Sequence, residues 1–191
     1  MTIPATLPDD IAEKLKLPEV GQIGYVVRDV GETIAFCRDM YGIRPWMILE
    51  ERPDPCIERG KEVHPVLRIG LAYAGPAQLE LIQVVEGETF HSKHLEKPEA
   101  EVHHLGFMVQ DLEKRLDACS GTGIEVLQRG TIRESGFNVD YAYLDTVEQA
   151  GIVLELIQWR LGPIPIPINR SMHNLVSRLG SATIFRGRII K

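Results

Sequence analysis

QIGYVVRDVGETIAFC (residues 22–37) and HLGFMVQDLEKRLDAC (residues 104–119) are two versions of one segment, held at a constant offset of 82. Gly24 matches Gly106, Tyr25 matches Phe107, Val27 matches Val109, Asp29 matches Asp111 and Cys37 matches Cys119. A shorter stretch, LELIQ at 79–83, returns unchanged at 154–158. Two matches in the same order, at similar offsets, identify a duplicated module of 75–82 residues.

Each copy reads the same way locally. Residues 22–28 and 104–110 are apolar and partly β-branched or aromatic, which predicts buried strands. Asp29 and Asp111 stand where a helix N-cap belongs, and Glu32, three residues after Asp29, makes the first resemble a capping box. Val30, Ile34, Phe36 and Cys37, with Leu112, Leu116 and Cys119 in the second copy, recur at helical spacing, and Gly42 and Gly123 stand as helix stops. Three further strands per copy are predicted at 44–50, 65–74 and 77–85, and at 124–131, 138–145 and 152–159. Segments 51–63 and 86–101 are charged loops bearing Gly and Pro. Past Gly162, Pro163, Pro165 and Pro167 exclude a central strand and predict an extended arm leading to a short helix around 170–179. The division is an N-terminal extension (1–19), a first βαβββ module (20–101), a second (102–160) and a Pro-rich arm with a short helix (161–191).

Composition removes several function classes. The 191 residues carry a formal net charge of −6, with the signs mixed along the chain, which argues against a nucleic-acid partner. No apolar run reaches the ~20 residues that span a bilayer, and the first residues lack the pattern of a secretory signal. Cys37, Cys56 and Cys119 are odd in number and form no CxxC pair, which suits reduced thiols in a cytoplasmic protein rather than a disulfide framework or a thiolate zinc site.

The duplication also places polar residues in apolar strands at matched points. Gln22 and His104 open the first strand of each copy, and Glu80 and Glu155 sit between the two leucines of each LELIQ. Because side chains alternate along a strand, each carboxylate points away from its flanking leucines. A carboxylate on a buried sheet face is costly unless it is paired or bound to a metal. The plainer readings are solvent-facing glutamates and a structural histidine. Against them stand four such groups at duplicated positions: two carboxylates, an imidazole and an amide oxygen, a donor set suited to an octahedral divalent ion. His103 is expected to face away from this point. His64, His91, His94 and His173 are read as loop or surface residues, a place at the site mouth being the lesser reading for His91 and His94.

These motifs resemble the vicinal oxygen chelate superfamily, which includes glyoxalase I, methylmalonyl-CoA epimerases, extradiol dioxygenases and bleomycin-resistance proteins. The resemblance covers about residues 20–159 and rests on Q-x-G-x-x-V-x-D, H-x-G-x-x-V-x-D and the two L-E-L strands. It implies an α+β fold of paired βαβββ modules, whose mostly antiparallel sheet forms a U-shaped cleft. It implies one divalent metal ion (Zn, Ni, Co, Mn or Mg) held by Gln22, Glu80, His104 and Glu155. It also implies a carbonyl substrate (an acyl-CoA, keto acid or keto-sugar) chelated by that metal, with Glu155 moving the proton on the adjacent carbon and Glu80 assisting from the opposite face. An isomerase or epimerase like methylmalonyl-CoA epimerase is the leading expectation. A glyoxalase I-like lyase and a non-catalytic binding protein are the alternatives. Val26 and Val84 depart from the glutathione-binding pattern, and Arg68 stands where the epimerase pattern has a second catalytic Glu; facing the cleft, it would bind a substrate carboxylate or phosphate. An Fe²⁺ dioxygenase is disfavoured, because Gln22 and Glu80 replace an open two-His, one-Glu site. Members of the family often pair, so a homodimer is expected, with the site built within one chain or across two.

Overall fold

The structure is a computed structural model that describes residues 13, 15–95, 101–134, 137–167, 171 and 188–190. Of the helix expected around 170–179, all but residue 171 lies outside the described residues. In chain order the elements are β1 (Gln22–Val26), α1 (Val30–Tyr41), β2 (Trp46–Glu51), β3 (Cys56–Glu58), β4 (Lys61–Glu62), β5 (Val66–Ala74) and β6 (Ala77–Glu86). The second half follows: α2 (Phe90–His94), β7 (His104–Met108), α3 (Leu112–Cys119), β8 (Val126–Glu134), β9 (Phe137–Leu144), α4 (Val147–Ala150), β10 (Val153–Leu161), β11 (Ile164–Pro165) and β12 (Arg188–Ile190).

One mixed sheet runs in the order β12-β2-β5-β6-β1-β7-β10-β9-β8-β3-β4, with β11 against β10. Its centre is symmetric: β1 pairs parallel with β6, β7 pairs parallel with β10, and β1 and β7 meet antiparallel. The sheet curls into a half-barrel, the fold the motifs imply. The two longer helices, α1 and α3, pack on its convex side. Val30, Ile34 and Cys37 of α1 join Trp46, Ala72 and Leu81 in one buried cluster, while Leu112 and Cys119 of α3 join Phe107, Leu144, Leu154 and Leu156 in another. Phe36, read as part of the α1 apolar face, is 53% exposed, since two residues on from Ile34 lies across the helix from that stripe.

The helix starts explain why LELIQ is duplicated whole. Gln83 Oε1 accepts from the Val30 amide at 3.1 Å, and Gln158 Oε1 accepts from the Leu112 amide at 2.9 Å. Each repeat's last residue therefore serves an otherwise unpaired amide at the start of its helix. Asp29 also accepts from the Glu32 amide, whereas Asp111 makes no cap bond and turns its carboxylate to Arg115 at 2.6 Å. Gly42 ends α1 with φ 67°; α3 stops before Gly123, at Cys119, and a turn follows.

The first copy carries an insertion that the second lacks. Between β2 and β5 the chain crosses to the far arm of the sheet, where β3 pairs with β8. The segment 51–63, expected as a loop, thus holds two short strands, β3 and β4, which pair with each other. Among the described residues no helix is long and apolar enough to cross a membrane. Cys37, Cys56 and Cys119 are all free and buried.

Candidate metal centre

The four polar residues marked by the repeat meet on the concave face, at the seam between the two halves. In the sheet register Gly24 lies between Glu80 and His104, and Gly106 lies between Gln22 and Glu155. Each row thus carries two polar side chains flanking a glycine. A Cβ built on Gly24 would fall inside the His104 imidazole, and one on Gly106 would come 2.8 Å from Gln22 Oε1. The glycine two residues after Gln22 and after His104 therefore clears space for the other copy's ligand-type side chain. That is the physical content of the Q-x-G and H-x-G motifs.

All four side chains are buried, at 4% exposure for Gln22, 9% for Glu80, 0% for His104 and 4% for Glu155. One ligand atom from each of Glu80, His104 and Glu155 lies within 4.8 Å of the others, and His104 Nε2 is 3.1 Å from both Glu80 Oε2 and Glu155 Oε2. Yet Gln22 Oε1, Glu80 Oε2, His104 Nε2 and Glu155 Oε2 are shielded from water, and none has a hydrogen-bond partner. The 3.1 Å approaches are close enough for charge attraction but are not aligned as hydrogen bonds, which leaves three ligand-type atoms clustered in one small buried space with Gln22 Oε1 in the adjacent row. Orphaned buried polar atoms are rare and costly. Four of them, in a donor set of two carboxylates, an imidazole and an amide oxygen, fit a divalent cation.

Neighbouring groups hold these side chains in place. Gln22 Nε2 donates to Gln78 Oε1 at 3.0 Å, which turns Gln22 Oε1 into the site. His103 stands behind His104, with its Nδ1 3.0 Å from His104 Nδ1, leaving His104 Nε2 for the site. Tyr143 donates to Glu155, and burial keeps its phenol protonated well above the usual range. Burial by itself lowers the His104 pKa, but Glu155 and Glu80 outweigh it and raise the value from 6.5 to about 9. Burial pushes the Glu155 carboxyl up as well.

The sign of the pH effect follows. In the metal-free protein the raised His104 pKa contributes stability that is fully present below pH 6.5 and lost as pH rises through about 9. The raised Glu155 acts in the same direction. In excess chelator, the unfolding midpoint of the metal-free chain is expected to fall between these pH values; a midpoint flat across that window would refute the assignment.

Two expectations about surrounding residues need correction. Arg68 does not face the cleft. Leu67 and Ile69 on either side of it point inward, and its guanidinium pairs with Glu50 at 2.8 Å on the outer face. Alternation along β5 sets this, and an apolar lining leaves no inward place for a cation. Arg68→Ala is expected to leave metal content unchanged and to shift stability by under about 0.5 kcal/mol, as measured by denaturant unfolding. His91, read as a loop or surface residue, is fully buried in α2 and lines the cleft beside Tyr143. Charge in 86–101 suggested an exposed loop; only the packing of α2 against β1 and β6 brings His91 inside.

With this geometry in view, the chain matches the model of the Glyoxalase/Bleomycin resistance protein/Dioxygenase superfamily over residues 21–143, and it belongs to that family. No curated protein matches it. Among solved structures it is similar to methylmalonyl-CoA epimerase from Mycobacterium tuberculosis, at 17% identity and TM-score 0.51 over 82% of this chain and 91% of that one. It is also similar to a single-residue variant of the Streptomyces coelicolor methylmalonyl-CoA epimerase in complex with 2-nitronate-propionyl-CoA, at 20% identity and TM-score 0.52 over 79% and 99%. A hypothetical protein from Bacillus halodurans is similar at 16% identity and TM-score 0.52 over 73% and 92%. At these identities the likeness is one of fold.

Proposed function

We propose that this chain is a divalent-metal-dependent isomerase or epimerase that moves a proton on the carbon next to a chelated carbonyl. The observation that carries the reading is the set of four orphaned, buried ligand-type atoms contributed by both halves of one chain. In this reading Gln22, Glu80, His104 and Glu155 hold the metal. When bound, the metal supplies Lewis acidity that favours loss of a proton beside the carbonyl.

The remaining work falls to side chains. Glu155, with its carboxyl pushed up by burial, is suited to accept a carbon-bound proton, and Tyr143 holds it in place. Glu80 comes from the first copy, across the seam from Glu155, and in this reading serves the opposite face of the substrate. Leu67, Ile69, Ile82, Ile157 and Trp159 line the rest of the cleft and exclude water around the reacting carbon. That wall favours an acyl thioester or keto acid with an apolar substituent over a keto-sugar. Similarity to methylmalonyl-CoA epimerases supports screening acyl-CoA substrates first.

Two measurements test the proposal together: elemental analysis of purified protein, and deuterium uptake from D₂O by a 2-substituted acyl-CoA or 2-keto acid. About one divalent ion per chain with exchange at the substituted carbon is the expected result. No metal after soaking with Mn²⁺, Co²⁺, Ni²⁺ or Zn²⁺ would overturn it and leave a non-catalytic binding module.

A further inference from the structure

A chain of hydrogen bonds beside the site fixes the state of a histidine that the proposed chemistry has not used. Glu58, from the inserted segment, is the acceptor of three donors on one oxygen: the Thr89 hydroxyl at 2.9 Å, the Phe90 amide at 2.9 Å and Gln128 Nε2 at 3.0 Å. The hydroxyl hydrogen of Thr89 is therefore committed to Glu58, so Thr89 Oγ1 can only accept from its other neighbours. Gln128 Nε2 is one, at 2.8 Å, and His91 Nδ1 is the other, at 3.3 Å. The rest of the network agrees, since the Tyr141 hydroxyl donates to Gln128 Oε1 at 3.3 Å and both Gln128 amide hydrogens are in use. His91 Nδ1 must carry a hydrogen.

The opposite nitrogen is then a bare lone pair. His91 Nε2 is shielded from solvent without a hydrogen-bond partner, on a ring that is 0% exposed and lines the same cleft as Gln22, Glu80 and Glu155. Burial and the nearby His104 hold the His91 pKa well below 6.5, in keeping with a neutral ring. The ring cannot turn over to satisfy Nε2 without breaking the bond to Thr89, and Phe90, His103 and Tyr143 pack around it. A buried acceptor left open this way costs on the order of 1–3 kcal/mol unless something donates to it.

We infer that His91 Nε2 is a substrate-binding acceptor in the cleft, selecting ligands that offer it a hydroxyl or amine hydrogen. This rests on the reading of the cleft as a metal-chelating site and narrows its substrate class to carbonyl compounds that also carry a hydroxyl or amine hydrogen, of which 2-hydroxy acids are the simplest. It also gives the inserted segment a role: Glu58 reaches the far arm and sets the imidazole through Thr89.

Two measurements on the full chain test it. Nitrogen-15 NMR of histidine-labelled, metal-free protein should show His91 with Nδ1 protonated and Nε2 unprotonated. Zinc-loaded protein is then titrated with mandelate and with 2-methoxy-2-phenylacetate (O-methylmandelate), which keeps both chelating oxygens but lacks the donor hydrogen. Wild type should favour mandelate by roughly three- to tenfold, the worth of one neutral hydrogen bond. His91→Phe should lose that preference while still binding one zinc, and His91→Gln, whose amide oxygen can accept, should restore part of it. A protonated Nε2, an equal preference in wild type and His91→Phe, or no mandelate binding to the zinc-loaded chain would overturn the inference. Failure of wild type to hold zinc would instead sink the metal-centre reading, and the His91 tautomer would still be read in the metal-free protein.

Discussion

Gly24→Ala is expected to abolish metal binding, because the new methyl group would occupy the space of the His104 imidazole. His104 cannot give way easily: its ring is fully buried, its Nδ1 faces His103 and Tyr143 stacks edge-on at 5.1 Å. The variant should lose about 3 kcal/mol of stability by overpacking and purify with far less than one ion per chain. Gly106→Ala makes the matched comparison. There the nearest atoms are Gln22 Oε1 at 2.8 Å, Gln22 Cβ at 2.9 Å and Ile157 Cδ1 at 3.0 Å, so the strands must part by a few tenths of an ångström but no ring is overlapped. Gly106→Ala should therefore weaken the metal rather than eliminate it. Elemental analysis and denaturant unfolding of the two variants measure this difference. Equal metal content in Gly24→Ala and wild type would mean that the row geometry at the seam has no bearing on the site.

Glu155→Gln should remove proton exchange even where metal can be restored by soaking. The amide keeps the shape and one ligand oxygen, so partial metal binding is expected to survive. Its oxygen has almost no basicity, so deuterium uptake should fall by roughly 10²–10⁴, the usual contribution of a positioned base. Glu80→Gln should cost less if Glu80 only assists, and as much if both faces of the substrate are worked in turn. Deuterium exchange at fixed metal loading separates these cases. Undiminished exchange in Glu155→Gln would remove Glu155 from the chemistry.

These two variants probe different parts of what the sequence makes legible. The duplicated strand openings and the repeated LELIQ were enough to place the fold, because a period-2 pattern sends Glu80 and Glu155 to one face and the leucines to the other whatever surrounds them. The same repeat singled out Gln22 and His104, since matched polar residues in matched apolar strands need a common reason. Local pattern also located the helix starts at Asp29 and Asp111. It missed that Gln83 and Gln158 cap those helices from neighbouring strands, a contact across 53 residues in one copy and 46 in the other.

What the sequence by itself determined is therefore everything carried by alternation, helical spacing and internal symmetry: the paired modules and the four residues that open or centre their strands. Only the tertiary structure decided the rest. Arg68 faces outward because the curled sheet places an apolar wall inward at β5, and no local pattern says which face of a strand becomes concave. His91 is inside because α2 packs against β1 and β6, and Glu58 of the inserted segment ties Thr89 and Phe90 at the start of that helix to Gln128 of β8. Contacts of that kind depend on where the chain returns in space, which neither composition nor spacing encodes locally.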